Sequence, residues 1–484
     1  MQKSLTIKEK SPIKYASSIE DSKHIQLNKK YDLFINGKWQ KTNKYFPTIN
    51  PSNEKVLAEV AYANEKDVDK TVTSAKNAYD KYWKKLPASE RGKYLFRIAR
   101  ILQEKAREFS VIESMNGGKP IRESKSVDIP LVISHFFYYA GWADKLEYIT
   151  RKKPEPLGVA GQIIPWNFPL LMAAWKIAPA LACGNTVVIK SAETTPLTLY
   201  KLAEIIQEAD LPPGVVNIIS GDGKTGSYLV NNPNVNKIAF TGSTDVGKLI
   251  MKSIAGTDKK LTLELGGKAA NIIFEDAPID AAVEGIINGI YFNQGHVCCA
   301  GSRLLVQESV AEIIVKKLKQ RMRNLRVGDP LDKNTDIGAI NSKQQLGKIT
   351  ELVDAGVSEG AEIYQPQCEL PEKGFWFKPT FFTNVSQAHR IANEEIFGPV
   401  LSVLTFRTPK EAIEKANNTF YGLSAGVWTS KGSKVFEVLK QIKAGVIWAN
   451  TFNKFNPASP FGGYKESGFG REGGLHGLLP YLKS

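Results

Sequence analysis

Cysteine is nearly missing from this sequence. Four thiols in 484 residues, Cys183, Cys298, Cys299 and Cys368, cannot supply a disulfide framework for a chain this long. They point to a reducing compartment and to free thiols. A long apolar run is also lacking: the longest, near 169–183, is interrupted by Trp175, Lys176 and Pro179, so no membrane span is expected. The first 20 residues hold lysine, glutamate and serine without an apolar segment, and they lack the arginines of a mitochondrial presequence. A cytoplasmic location is the expectation. Acidic residues are outnumbered, 49 against 64 Lys and Arg, a net charge of +15. Yet the lysines are spread along the whole length, with neither zinc-finger spacing nor an arginine-rich arm, so no nucleic-acid partner and no metal site are expected. No repeat recurs at solenoid periods.

What is present is material for two or three domains, with 42% hydrophobic residues. Residues 1–30 read as a polar, loosely attached arm. Asn36 and Gly37 mark a hairpin turn, and another short strand pair is expected over 45–63. Val68, Val72, Ala75, Tyr79 and Tyr82 recur at helical spacing; further helices are expected over 88–110, ended by Asn116, Gly117 and Gly118, and over 128–146. From 157 to 275 strands and helices alternate, which implies a mostly parallel sheet covered on both faces. A second alternating region follows from Ala270 and is assigned to a separate α/β domain.

The chemistry centres on YFNQGHVCCAGSR at 291–303. By themselves, Cys298 and Cys299 read first as small buried hydrophobes. Their small neighbours also permit close backbone approach to a ligand, so one thiol is a candidate nucleophile. A candidate general base, Glu264, lies in LTLELGGK at 261–268, at the end of an expected strand. Such ends are where open α/β folds place ligands, and partial burial between leucines raises a carboxyl pKa toward the range of a base. At 240–243, FTGS joins an expected strand to a helix. Gly242 and Gly247 do not form the usual dinucleotide glycine pattern, but Ser243 and the free N–H groups of a helix start can still hold a pyrophosphate.

ELGGK at 264–268 with FNQGHVCCAG at 292–301 resembles the NAD(P)-dependent aldehyde dehydrogenase superfamily, and the likeness runs from about Leu33 to Arg471. It implies an α/β aldehyde-dehydrogenase-like fold: two α/β domains around parallel sheets and a small oligomerisation extension. The implied division is an NAD-binding domain (31–137 and 156–266), a catalytic domain (267–474) and an oligomerisation segment (138–155 and 475–484). In the family the nucleophile lies 34 residues after the glutamate of ELGG and three before the glycine of A-G-S-R; both distances select Cys298. The implied reaction is oxidation of an aldehyde to a carboxylic acid with reduction of NAD, through a cysteine thiohemiacetal and a thioester hydrolysed by Glu264-activated water. Asn167, in IPWNFP at 164–169, is implied as the oxyanion donor. A coenzyme A-acylating enzyme is an alternative that Glu264 opposes. A retired scaffold is another, opposed by the full catalytic set.

The resemblance also implies a cofactor site. Lys190 and Glu193 grip the adenosine ribose, Glu193 favouring NAD over NADP. Gly242, Ser243 and Gly247 hold the pyrophosphate, and in EIFGP Glu395 holds the nicotinamide ribose while Phe397 packs beside the ring. Ile164, Trp166, Gly223, Phe240 and Leu265 complete it. Phe168, Met172, Trp175, Phe292, Val297, Phe455 and Phe461 match the substrate entrance; none is charged, which suits an apolar aldehyde. Three departures stand out. Ser191 replaces the more usual proline, and His296 stands where glutamine is common, either as its hydrogen-bonding substitute or as a partner of the thiolate. The chain also stops near where a joining strand begins in typical members; this shortened tail resembles a branch whose dehydrogenase module precedes a second, degenerate one. A homodimer is expected.

Overall fold

Strand and helix alternate as the spacing predicts, and the strands gather into two large sheets. The computed structural model describes residues 16–150 and 153–483. Residues 1–15 of the polar arm, Arg151 and Lys152 of the expected basic turn, and Ser484 lie outside the described residues.

The first sheet has eight strands. In spatial order they are Gly468–Phe469, Lys260–Glu264, Lys237–Thr241, Val159–Ile163, Thr186–Lys190, Val216–Ile219, Leu33–Ile35 and Lys38–Gln40. The five strands from Lys260–Glu264 to Val216–Ile219 run parallel, and antiparallel neighbours close both edges. Thr186–Lys190 and Val216–Ile219 are buried along their whole length, which is why TVVIK carries a continuous apolar run rather than alternation, and the one polar residue inside VNII, Asn217, donates to the Val187 and Gly214 carbonyls. The second sheet orders Glu362–Tyr364, Thr380–Thr383, Val400–Phe406, Arg303–Gln307, Ala270–Ile273, Ser424–Trp428 and Val446–Ala449, all parallel except the first. Asn36 and Gly37 turn the expected hairpin with φ of 54° and 71°.

The structure corrects two local expectations. The helix expected over 88–110 is two, Ala88–Glu104 and Ala106–Gly117, because Lys105 leaves helical geometry at φ −96° and ψ 12°. The second half then runs on to the left-handed cap at Gly118. The arm is tied down rather than loose from Ala16 onward. Glu20 is buried, accepts from Arg107 at 2.6 Å and pairs with Lys333 at 3.3 Å, while Ile19 bridges to Asp332.

Two features bear on the site. Before the helix Ile129–Trp142 the chain makes a π turn, Ser124–Asp128, which rotates the helix face that follows. The tail folds back on its own chain: the Tyr481 carbonyl accepts from Asn185 at 2.9 Å and from the Leu157 amide at 3.3 Å, and Leu478, Tyr481 and Leu482 are buried. No helix among the described residues is long and apolar enough to cross a membrane.

Candidate active site

The carboxyl ends of the parallel strands in the first sheet bring the expected residues into one row. Lys260–Glu264 ends at Glu264, Lys237–Thr241 runs into Gly242 and Ser243, and Val159–Ile163 leads to Ile164, Trp166 and Asn167. Thr186–Lys190 ends at Lys190, and Val216–Ile219 leads to Gly223. Open α/β sheets bind ligands along this edge. The second sheet meets it through the nucleophile loop, which enters Arg303–Gln307, and through Glu395 and Phe397 ahead of Val400–Phe406.

Between the sheets lies a cavity of about 180 Å³. Its walls include Cys298, Glu264 and Asn167, together with all seven expected substrate-entrance residues: Phe168, Met172, Trp175, Phe292, Val297, Phe455 and Phe461. Phe168 stacks on Phe292 at 6.2 Å, and Trp175, Phe461 and Phe455 follow one another at 5.4 and 6.0 Å between ring centroids. Of the expected cofactor residues, Trp166, Gly242, Ser243, Leu265, Glu395 and Phe397 line the cavity too. Ile164, Lys190, Glu193, Gly223, Phe240 and Gly247 do not; they lie along the same strand edge outside it.

Cys298 is the more open of the two thiols, partly exposed where Cys299 is 1% exposed. Cys299 turns toward Asn453 at 3.8 Å, and its carbonyl accepts from Ser424. Contact with the Cys299 thiol and then burial push the Cys298 pKa well above the ordinary thiol value. Its carbonyl lies so close to Gly267 that a Cβ there would come within 2.3 Å, so only glycine allows this approach of the two loops.

Glu264 is 4% exposed, and neither carboxylate oxygen has a hydrogen-bond partner among the described residues. Burial first, then the Glu472 carboxylate, push its pKa well above the usual range; Lys176 and Arg471 oppose the shift. Lys176 and Glu472 form a buried ion pair beside it. A carboxyl in this state takes up a proton at neutral pH far more readily than a surface glutamate.

Asn167 is aimed by its surroundings. One N–H of its amide donates to the His296 carbonyl at 2.8 Å, which leaves the second free, and its own carbonyl accepts from Asn293 at 2.9 Å. Asn293, Gln294 and Gly295 form a left-handed run with φ of 48°, 52° and 74° just ahead of the thiols. Phe397 is also left-handed at φ 55°, a strained backbone for an aromatic residue.

His296 fits neither expected role. Its ring is buried edge-on to Trp166 at 4.8 Å and stacked on Phe397 at 5.9 Å, and its Nε2 has no hydrogen-bond partner among the described residues. Burial pulls its pKa down to about 3, so it is a neutral packing ring rather than a polar stand-in or a thiolate partner.

The cofactor residues form a donor and acceptor set that suits a dinucleotide. Ser243 caps the helix Thr244–Ile254, accepting from the Val246 amide at 3.4 Å, and leaves the first N–H groups of the helix facing the strand edge. Gly247 packs directly on Leu265, which seats that helix against the strand end. Lys190 reaches Glu193 at 3.2 Å, and the Glu193 side chain is 48% exposed. Glu395 accepts from the Gly267 amide at 2.9 Å, and burial raises its pKa.

Sequence reasoning missed part of the wall. Val127, Leu131 and His135 line the cavity with Leu171 and Glu472. The signal was a spacing of four on the expected helix, with the π turn deciding that this face turns inward. Among the described residues no group of His, Cys, Asp and Glu could hold a metal ion.

Comparison with known proteins agrees with this geometry. A model described as the Aldehyde dehydrogenase family matches residues 39–484. Human retinal dehydrogenase 2 is 47% identical over 464 residues, 93% of this chain and 90% of that protein. An aldehyde dehydrogenase of Alternaria alternata is 44% identical, covering 93% of this chain and 94% of its own. The NAD+ complex of a Bacillus cereus aldehyde dehydrogenase superposes with a TM-score of 0.91 at 41% identity, covering 95% of this chain and 98% of that one. A P. syringae indole-3-acetaldehyde dehydrogenase reaches 0.91 at 38%, over 94% and 96%. The chain belongs to the aldehyde dehydrogenase family.

Proposed function

We propose that Cys298, Glu264 and Asn167 are the catalytic residues with which this enzyme oxidises an aldehyde to its carboxylic acid as NAD is reduced. The observation that carries the assignment is their convergence on one aromatic-walled cavity where the two sheets meet. The Cys298 thiol gives up its proton to solvent as the sulfur adds to the aldehyde carbonyl, and the alkoxide formed accepts hydrogen bonds from the free Asn167 N–H and the backbone N–H of Cys298. Bound NAD supplies the hydride acceptor. The cysteine thioester left behind is opened by water whose proton passes to Glu264, releasing the acid and restoring the thiol. The raised pKa of Glu264 suits it to take that proton, and its presence favours water over coenzyme A as acyl acceptor.

The same reading places Glu193 and Lys190 on the adenosine ribose, Ser243 and its helix start on the pyrophosphate, and Glu395 on the nicotinamide ribose. Phe397 and Trp166 take the nicotinamide side. The substrate-entrance aromatics suit an apolar aldehyde, in keeping with retinal and indole-3-acetaldehyde in the names of two relatives. We assign 31–137 and 156–266 to the cofactor domain, 267–474 to the catalytic domain, and 138–155 with 475–484 to oligomerisation. A cytoplasmic homodimer is the preferred assembly. Val246 and Leu249, three apart on the helix Thr244–Ile254, are 43% and 64% exposed, apolar side chains that a second copy would cover.

NADH formation with a panel of aliphatic and aromatic aldehydes tests the assignment. Cys298→Ala is expected to abolish turnover with every aldehyde, whereas Cys299→Ala keeps it; the reverse pattern would move the nucleophile by one residue.

A further inference from the structure

Glu123 is a carboxyl group that the reaction does not use and that the fold has no evident reason to bury, and burial pushes its pKa up to about 8. It is 5% exposed, at the end of the short helix Ile121–Glu123, where the chain enters the π turn Ser124–Asp128. Its Oε2 accepts from the backbone amide of Asn293 at 2.8 Å. That amide is the first N–H of the left-handed run leading to Cys298.

Backbone accounting explains why this amide needs an outside acceptor. In a continuing helix it would donate to the Gly289 carbonyl, four residues back. That carbonyl instead accepts from Gly301, beyond the thiols, at 2.9 Å. The Ile279–Tyr291 helix ends there, and Asn293 turns to φ 48° and ψ 43°. A buried amide left without a partner destabilises the conformation that strands it.

The other polar groups of Asn293 are committed to the site. Its carbonyl accepts from the His296 amide at 2.8 Å, and its side-chain amide donates to the Asn167 carbonyl at 2.9 Å and to the His296 carbonyl at 3.3 Å. The His296 carbonyl in turn holds the Asn167 side chain at 2.8 Å. Any shift of Asn293 therefore reaches the oxyanion donor through two hydrogen bonds and the thiol through the backbone. Gln294 braces the far side, donating to Ala339 at 3.1 Å and accepting from Gly338 at 3.3 Å.

We propose that Glu123 is a positioning residue: by capping Asn293 it holds the strained turn in the one conformation that aims the Asn167 amide and seats the Cys298 sulfur. The inference rests on the proposed roles of those two residues. It gives the π turn a purpose, because the same segment then presents Val127, Leu131 and His135 to the substrate cavity. One element thereby fixes both the tunnel wall and the geometry of the attack.

Glu123 also lines a second cavity of about 200 Å³ behind Phe292, between the Arg122–Asp336 and Arg321–Glu284 ion pairs. A side chain of similar length without an acceptor finds room there, so its effect reports the lost hydrogen bond rather than overpacking.

The test compares Glu123→Met with Glu123→Gln, reading the single-turnover rate of NADH formation, the KM for aldehyde and the thermal midpoint. E123M is expected to slow hydride transfer on the order of tenfold to a hundredfold with a much smaller change in KM. E123Q, which keeps an acceptor oxygen, recovers most of that loss. Should E123M fail to fold, E123A supplies the same contrast. In a double-mutant cycle, adding Asn167→Ala to the non-acceptor variant is expected to cost little beyond N167A alone. Equal rates in the Met and Gln variants, or losses that simply add in the cycle, would overturn the proposal. Full single-turnover rate in N167A alone would instead overturn the catalytic assignment on which it stands.

Discussion

The two ends of the active cleft are built on opposite terms. At the reaction end, Glu264 is 4% exposed with both oxygens unpartnered among the described residues; burial has moved the proton affinities of Glu264 and His296 far from their solution values, and contact with the Cys299 thiol, then burial, has done the same for Cys298. At the adenosine end, Glu193 keeps 48% of its side chain exposed beside Lys190. One end holds its proposed proton-transfer groups out of solvent; the other keeps the carboxylate proposed for the ribose in contact with it. The difference teaches that proton affinity at one end is set by desolvation and close neighbours, whereas the other end depends on the placement of exposed groups, so substitutions at the two ends should fail in different ways.

The largest break is expected at Glu264. Glu264→Gln should lower steady-state acid production by about 10²–10⁴-fold while sparing much of the first NADH burst, because a general base acts in the second half of the reaction. The carboxylate form is the working base and its pKa is raised, so the wild-type rate of acid release should climb as pH rises through the neutral and alkaline range. Rapid-mixing traces across pH check both statements; a burst lost together with turnover would contradict them. Asn167→Ala should cost about 3 kcal/mol of transition-state stabilisation, on the order of a hundredfold in hydride transfer, with little change in KM.

At the other end Glu193→Ala should act on binding rather than on rate. The KM for NAD should rise about tenfold and the preference over NADP should narrow, since the carboxylate that repels a 2′-phosphate is gone. A fall in kcat at saturating NAD would blur the contrast. The smallest effect concerns stability. His296, like His135, has a native pKa of about 3 through burial. Below about pH 6.5 the unfolded chain gains protons that these native rings refuse, so stability is lost as pH falls from there toward 3, about 1 kcal/mol per pH unit for each ring. Replacing His296 by Gln should flatten part of that decline in the thermal midpoint between pH 7 and pH 5.

Much of this architecture was legible in the sequence. The parallel strands announce themselves as short apolar runs separated by helical periods, and the hairpin at Asn36 and Gly37 follows from turn chemistry. ELGGK and the cysteine motif led to the proposed base and nucleophile, and both line the cavity, because their spacing is carried by local elements. What stayed hidden depends on contacts distant in sequence. His296 looked like a polar substitute until Trp166 and Phe397 closed around it. Val127, Leu131 and His135 could not be placed on the cavity wall without the π turn that sets their face. Lys105 breaks a helix in a stretch whose helical pattern gives no sign of the break.

The Cys298 thiol, held protonated by its neighbour and by burial, carries a last consequence. Peroxide and soft electrophiles react with thiolates, so a sulfur kept in its neutral form is slow to form sulfenic acid or to be alkylated. An enzyme whose substrates are themselves electrophiles thus holds its most vulnerable atom in a chemically quiet state between turnovers.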